Sequence, residues 1–229
     1  MINATLSLLK DGFSKRYESG NSQHEELKKI MDSIAEGAGA LEIMAANPDP
    51  EQSLESHDLK LGRAGKKLQE ALDAAKEKFD KVTTNVAVSF DVGLKEHSGL
   101  KYGPFASEIR GMVRPLGPGE RVRWVQDRIL AADGESLSSL LLPPAYLSGL
   151  TEEERAKFTL QYFTVSVPKI VAAQELYNDL ADFVQAVFKT AQRAITRIGQ
   201  PSKYNKAEEQ QQVSLNAERR LKATVGGSL

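Results

Sequence analysis

Two features of the sequence predict an all-α protein built from several long, packed helices. Apolar residues recur at alternating spacings of four and three in three separate stretches, which is the period of a helix packed along another helix. Aromatic residues make up only 7% of the 229 residues, and helix cores of Leu, Val, Ile and Ala need few of them. The chain has no cysteine, so disulfide bonds do not contribute to its stability.

Residues 1–98 are predicted to form a domain whose core is an antiparallel helical hairpin with coiled-coil-like packing. A short amphipathic helix over residues 3–17 comes first. Ser22 followed by Glu25 matches the capping-box pattern, so the first arm of the hairpin is expected from Ser22 to about residue 46. The seam of this arm consists of Leu27, Met31, Ile34, Ala38, Leu41 and Ala45.

The second arm is predicted to start near Pro50, since the Asn-Pro-Asp-Pro motif at residues 47–50 breaks the first helix and places a proline in the first turn of the next. Its seam consists of Leu61, Gly65, Leu68, Leu72, Ala75, Phe79, Val82 and Val86. Residues 86–92 fit two structures, because their apolar residues alternate like a strand and also recur like a helix. A lone strand would have no sheet within its own chain, so helix is favoured.

Residues 99–200 are predicted to form a second helical domain with an irregular middle and a long C-terminal helix. Prolines and glycines divide the middle into short helices at about 105–114 and 119–132. Thr151 with Glu154 is a capping box that starts the long helix, and Pro168 is expected to kink or break it. Its seam consists of Leu180, Val184, Val187, Ala191, Ala194 and Ile198.

The last predicted segment, residues 201–229, is a polar, basic arm with few apolar positions. It is read either as a surface helix or as an arm that becomes ordered on a partner. Gly226 and Gly227 near its end predict a flexible terminus.

The sequence contains no motif that requires a particular chemistry. The three histidines, His24, His57 and His97, are not spaced to share a metal ion, and we expect them at the surface. Carboxylate clusters lie at predicted helix starts, where the helix dipole explains them. No glycine pair has the context of a phosphate-binding loop. The expectation is therefore a non-enzymatic protein without catalytic residues, cofactor or metal.

Charge is distributed unevenly, although the net charge is only −1. Residues 1–100 carry 13 basic against 17 acidic residues, whereas residues 151–229 carry 11 against 9. Basic residues concentrate in two stretches, which we take as candidate partner-binding residues. They are Arg110, Arg114, Arg121, Arg123 and Arg128 in the middle, and Lys189, Arg193 and Arg197 on one face of the last long helix.

One segment, residues 128–154, resembles uncharacterised proteins of tailed bacteriophages and prophages. The resemblance lies in the turn Leu130-Ala131-Ala132-Asp133-Gly134 and in the sequence Pro144-Ala145-Tyr146-Leu147-Ser148-Gly149-Leu150. It covers about an eighth of the chain and implies a phage-encoded protein. It carries no known catalytic or binding residue.

Together these features predict a structural or assembly protein that acts through helix–helix association, as a homo-oligomer or with other structural proteins, in a virion or the bacterial cytoplasm. The alternative is a helical binding module that uses its Arg and Lys faces for nucleic acid or to inhibit a host protein. No apolar run approaches the roughly 18 residues that cross a bilayer, so no membrane span is expected.

Overall fold

In the computed structural model, which describes residues 1–199 and 201–226, every regular element is helical. The predicted all-α class is confirmed, and the described residues contain no strand. Residues 86–92 lie within a helix, so the strand alternative is wrong. Val86 is buried whereas Val88 and Val92 are exposed, and this spacing follows the turn of a helix rather than the alternation of a strand.

The helices are numbered in chain order. They are α1 Ile2–Ser14, α2 Ser22–Ala46, α3 Leu54–His97, α4 Ala106–Val113, α5 Pro118–Leu130, α6 Gly134–Leu141, α7 Ala145–Ser148, α8 Glu152–Ser166, α9 Pro168–Ala194 and α10 Pro201–Gly226, with a π-helical turn at Ile195–Gly199 after α9. Gly227, part of the predicted flexible terminus, lies outside the described residues.

Contacts divide the chain into two compact units. We call Met1–Thr83 with the residues from Asp179 onward the terminal unit, and Thr84–Asn178 the central unit. The domains predicted at 1–98, 99–200 and 201–229 stay a prediction, because compactness does not show which segments fold alone.

The terminal unit buries most residues of the predicted apolar seams within a single chain, while Ala45, Ala75, Val82 and Ile198 are only partly buried. On α9, Leu180, Val184, Val187 and Ala191 are each 0% exposed. On α2 and α3 the seam residues Leu27, Ile34, Ala38, Leu41, Leu61, Leu68, Leu72 and Phe79 are buried as well. Burial of each such side chain contributes roughly 1.5–3 kcal/mol. The seams therefore stabilise the fold of one molecule and are not free to join two.

Helices α2 and α3 contact each other at two places along their lengths. The Nζ of Lys78 lies 3.8 Å from a carboxylate oxygen of Glu26, and a Cβ added at Gly37 would lie 2.8 Å from the side chain of Leu68. The side chain of Leu68 occupies the space where a larger residue at position 37 would place its Cβ, which explains a glycine inside α2.

Two helix starts differ from the prediction. The residue that caps α2 is Asn21, not Ser22, because the Asn21 side chain accepts hydrogen bonds from the backbone N–H groups of Gln23 and His24. Helix α3 begins at Leu54, not at Pro50, and the hydroxyl of Ser53 accepts from the N–H of Ser56.

Helix α1 is capped by a side chain from another helix. Glu42 of α2 accepts hydrogen bonds from the terminal amine of Met1 and from the N–H groups of Ile2 and Asn3, at 2.8, 2.8 and 2.6 Å. These donors, the amine foremost, lower the pKa of Glu42 to about 2. The carboxylate thereby satisfies N–H groups that have no partner inside α1.

The core of the central unit is formed by many short helices. Its largest fully buried side chain is Tyr162, whose hydroxyl donates to the carbonyl of Ser98 at 2.6 Å. The predicted capping box of Thr151 and Glu154 is present at the start of α8. Where the sequence predicts a long helix kinked or broken near Pro168, the structure has two helices, α8 and α9, with Val167 between them, since a proline supplies no N–H to continue the helix.

Candidate interaction surfaces

Two of the predicted partner-binding arginines hold the central unit together. The guanidinium of Arg121 donates to the carbonyls of Gly149, Arg114 and Leu116, the last two at 3.0 and 2.8 Å. Arg110 donates to the carbonyl of Ser139 at 3.3 Å. These carbonyls belong to helix ends and turns, where no backbone N–H of the same helix donates to them.

The other three middle arginines are exposed. Arg128 lies over the ring of Trp124 at 5.3 Å and within 3.6 Å of the Asp133 carboxylate, so its charge is compensated locally. Arg114 and Arg123 make no ion pair among the described residues. The structure therefore does not gather the five middle arginines into one free surface.

The three C-terminal cations lie together along one groove of the terminal unit. We call it the basic groove; its volume is about 440 Å³, and it runs between the first turn of α1 and the end of α9. It is lined by Met1, Ile2, Thr5, Lys189, Thr190, Gln192, Arg193, Thr196 and Arg197. Lys189, Arg193 and Arg197 are exposed, and none forms an ion pair with any described residue.

The polar groups between these cations are already bonded to the chain. The hydroxyls of Thr190 and Thr196 donate to backbone carbonyls one turn earlier, both at 2.9 Å. The amide of Gln192 donates to Gln69 of α3 at 2.9 Å. The groove therefore offers ammonium and guanidinium donors that form no ion pair within the described part of the chain, which suits carboxylate or phosphate oxygens.

Sequence reasoning missed a row of carboxylates on α3. Glu70, Asp73, Glu77 and Asp80 are all exposed, and their spacing of three, four and three places them along one face of the helix; we call them the acidic row. The same periodicity that revealed the apolar seams would have found this row if it had been applied to charged residues.

A second groove was also missed. It has a volume of about 400 Å³ in the terminal unit and is lined by Met44, Ser56, Leu59, Lys60, Arg63, Ala64, Lys67 and Gln211. Arg63 donates a hydrogen bond to the Gln211 side chain, which connects α3 to α10. Because α10 closes one side of this groove, spacing on α3 alone could not reveal it.

The histidines do not form a metal site. Among the described residues no group of three or more His, Cys, Asp or Glu side chains could hold a metal ion. The expected surface position of His24 is wrong, since this residue is only 3% exposed. It lies three residues before Leu27 and so extends the buried seam of α2 by one turn, a spacing visible in the sequence. Burial lowers its pKa, and the charge of Glu18 opposes this only in part.

Comparisons with known proteins assign no family. No protein-family model matches the chain, and searches of curated proteins and of solved structures found no similar protein. Within the described part of the chain, no helix has both the length and the apolar character needed to cross a membrane.

Proposed function

We propose that this chain is a non-enzymatic structural or assembly protein, a component of a bacteriophage virion, that associates with copies of itself or with other structural proteins through its helices. The observation that carries the proposal is the exposure of α10. Every residue from Gln212 to Arg220 is exposed, although all nine belong to one helix.

Residues 212–220 of α10 gain little stability from burial against their own chain. The helix has 26 residues, which corresponds to about 39 Å of helix, and its described apolar side chains Val213 and Leu215 are 69% and 40% exposed. Helices in proteins owe most of their stability to packing of one face. Val213 and Leu215 are two residues apart and therefore lie on different sides of α10, so helices of partners packed on both sides would supply the missing burial.

The terminal unit provides a base from which α10 can act. The proposal includes an antiparallel, coiled-coil-like hairpin of α2 and α3, which the Glu26–Lys78 and Gly37–Leu68 contacts support. The hydrogen bond from Arg63 to Gln211 attaches α10 to this hairpin. The assignment to a virion is supported by the resemblance of residues 128–154 to phage proteins, and detection of the chain in purified particles of the phage that encodes it would test that part.

The association itself is tested by the mass of the protein in solution at about 0.5 M salt, where exposed charges are screened. The whole chain is expected to form a defined oligomer of the 25.1 kDa subunit. The double substitution Val213→Glu with Leu215→Glu should reduce the mass to that of one subunit. The matched control is Gln212→Glu with Ser214→Glu, which adds the same charge to the same helix without removing an apolar side chain.

A mass of 25.1 kDa for the unmodified chain at every concentration, with no partner recovered, would contradict the proposal. Equal masses for the two double variants would show that Val213 and Leu215 are not the contact.

A second candidate function is a binding module for nucleic acid or for a host protein. The observation that favours it is the basic groove, whose three cations make no ion pair among the described residues. Arg193→Glu with Arg197→Glu should then abolish a salt-dependent affinity while the circular dichroism of the helices stays unchanged.

A further inference from the structure

We infer that the basic groove binds the acidic row of a second copy of this chain, so that molecules join head to tail. The inference rests on the proposed assembly function but uses surfaces that lie apart from α10. Both surfaces belong to the terminal unit. A patch that binds a different patch on the next copy forms a heterologous interface, which propagates beyond a dimer.

The groove supplies three cations in a regular line. Lys189, Arg193 and Arg197 follow one another at four-residue intervals, or about 6 Å of helical rise each, and the π-helical turn carries the last of them. Exposed cations held this close to one another repel, and a row of anions would relieve that repulsion.

The acidic row is similar in length to the line of cations. Glu70 to Asp80 spans about 15 Å of helical rise, against about 12 Å from Lys189 to Arg197. Asp73 and Glu77 are paired on their own helix, with Lys76 at 3.8 Å and Lys81 at 2.7 Å. Glu70 and Asp80 form no ion pair with the described residues, so the two ends of the row are open to a partner.

The two surfaces do not neutralise each other within one molecule. No carboxylate of the acidic row pairs with a cation of the groove among the described residues. Helices α3 and α9 instead meet through the Gln69–Gln192 hydrogen bond, and through their ring contact between Phe79 and Phe188. Each surface is therefore left for another molecule.

Charge favours a second copy over nucleic acid. The acidic row lies in the same unit as the groove, and the net charge of the chain is −1, so the chain lacks the overall positive charge that attracts a long phosphate chain. The carboxylates of a second copy, by contrast, form a row of about the same length as the line of groove cations.

Charge reversal on either side tests the inference, with light scattering as the readout. The groove variant is Arg193→Glu with Arg197→Glu, and the row variant is Glu70→Lys with Asp80→Lys. At about 0.05 M salt the unmodified chain is expected to be larger than at about 0.5 M, because screening weakens contacts between exposed charges. Each variant alone should lose this salt-sensitive increase and keep the mass measured at high salt.

An equimolar mixture of the two variants should restore the increase, since the reversed groove fits the reversed row. This restoration also shows that both variants are folded. The matched control, Glu55→Lys with Asp58→Lys, makes the same charge change on an exposed part of α3 outside the row and should assemble like the unmodified chain.

Three outcomes would overturn the inference: no salt-sensitive increase for the unmodified chain, normal assembly of either single variant, or no restoration in the mixture. Binding of a polythymidylate oligonucleotide that the groove variant loses, without salt-sensitive self-association, would assign the groove to nucleic acid instead. The α10 variants are judged by the mass at high salt, and the charge variants by the increase in mass at low salt. The proposed function and this inference can therefore fail independently of each other.

Discussion

The two basic regions of the molecule look alike in the sequence but have different environments in the structure. In the central unit, Arg110 and Arg121 donate to backbone carbonyls, and Arg128 is paired with Asp133. In the terminal unit, Lys189 and Arg193 line an open groove and have no anion among the described residues.

Helix length explains the difference. The helices α4, α5, α6 and α7 have 8, 13, 8 and 4 residues, whereas α9 has 27. Every C-terminal helix end leaves up to four carbonyls without a partner in the helix, so a unit of short helices has many acceptors for a guanidinium. A long helix presents few, and its cations stay on the surface. Clustered arginines therefore indicate binding more reliably on long helices than between short ones.

The largest effect that separates the two regions should come from Arg121. Arg121→Ala removes donors from the carbonyls of Gly149, Arg114 and Leu116, and is expected to destabilise the protein by about 3 kcal/mol. Arg193→Ala removes an exposed side chain, and should change stability by less than about 0.5 kcal/mol. Urea denaturation of both variants measures the difference, and equal values would show that the two regions do not differ in this way.

A smaller effect is expected where two backbones approach closely in the terminal unit. A Cβ at Gly65 would lie 3.0 Å from the Cα of Gly199, and backbone cannot move aside like a flexible side chain. Gly65→Ala should therefore destabilise the protein by about 1–2 kcal/mol, despite the better helix propensity of Ala.

The control for this substitution is in the central unit. Gly111 of α4 has no atom within 4 Å of an added Cβ, so Gly111→Ala should stabilise by up to about 1 kcal/mol. Thermal unfolding measures whether each substitution raises or lowers the stability. Stabilisation by Gly65→Ala would mean that the backbones at Gly65 and Gly199 are farther apart than the structure shows.

Removing a helix cap should lower the free energy of unfolding by about 1 kcal/mol. The cap of α8 was predicted correctly from the sequence, whereas the cap of α2 was not. Thr151→Ala removes the side chain that accepts from the N–H of Glu154, and Asn21→Ala removes the cap of α2; each should destabilise by about 1 kcal/mol. Ser22→Ala should be nearly neutral. If Ser22→Ala lowered the free energy of unfolding in urea more than Asn21→Ala, the cap of α2 would be Ser22, as the sequence pattern predicts.

The smallest predicted effect concerns pH. The pKa of His24 is lowered in the folded protein, so the unfolded chain binds the proton more tightly and stability should fall as the pH drops below about 6.5. His24→Gln should reduce the loss of stability between pH 7 and pH 5, whereas His57→Gln should leave that loss unchanged. The comparison is made by urea denaturation at several pH values, and parallel curves for the unmodified chain and His24→Gln would refute the assignment.

The fold class and the apolar seams could be predicted because periodicity records burial directly. Leu180, Val184 and Val187 are fully buried at the predicted spacing. Helix starts were harder, since Asn21 and Ser22 are both good caps and only the backbone decides between them.

The surfaces could be predicted only in part. The line of Lys189, Arg193 and Arg197 follows from helical spacing, but the groove beside it requires the first turn of α1, more than 180 residues away in the chain. The role of Arg121 was equally hidden, because its acceptor Gly149 comes from a distant turn.

The most direct test of assembly through exposed surfaces is the absolute mass of the unmodified protein by light scattering after size exclusion, at low and high salt. The account predicts a defined oligomer of the 25.1 kDa chain at about 0.5 M salt and a larger species at about 0.05 M. A single subunit mass of 25.1 kDa at both salt concentrations would contradict it.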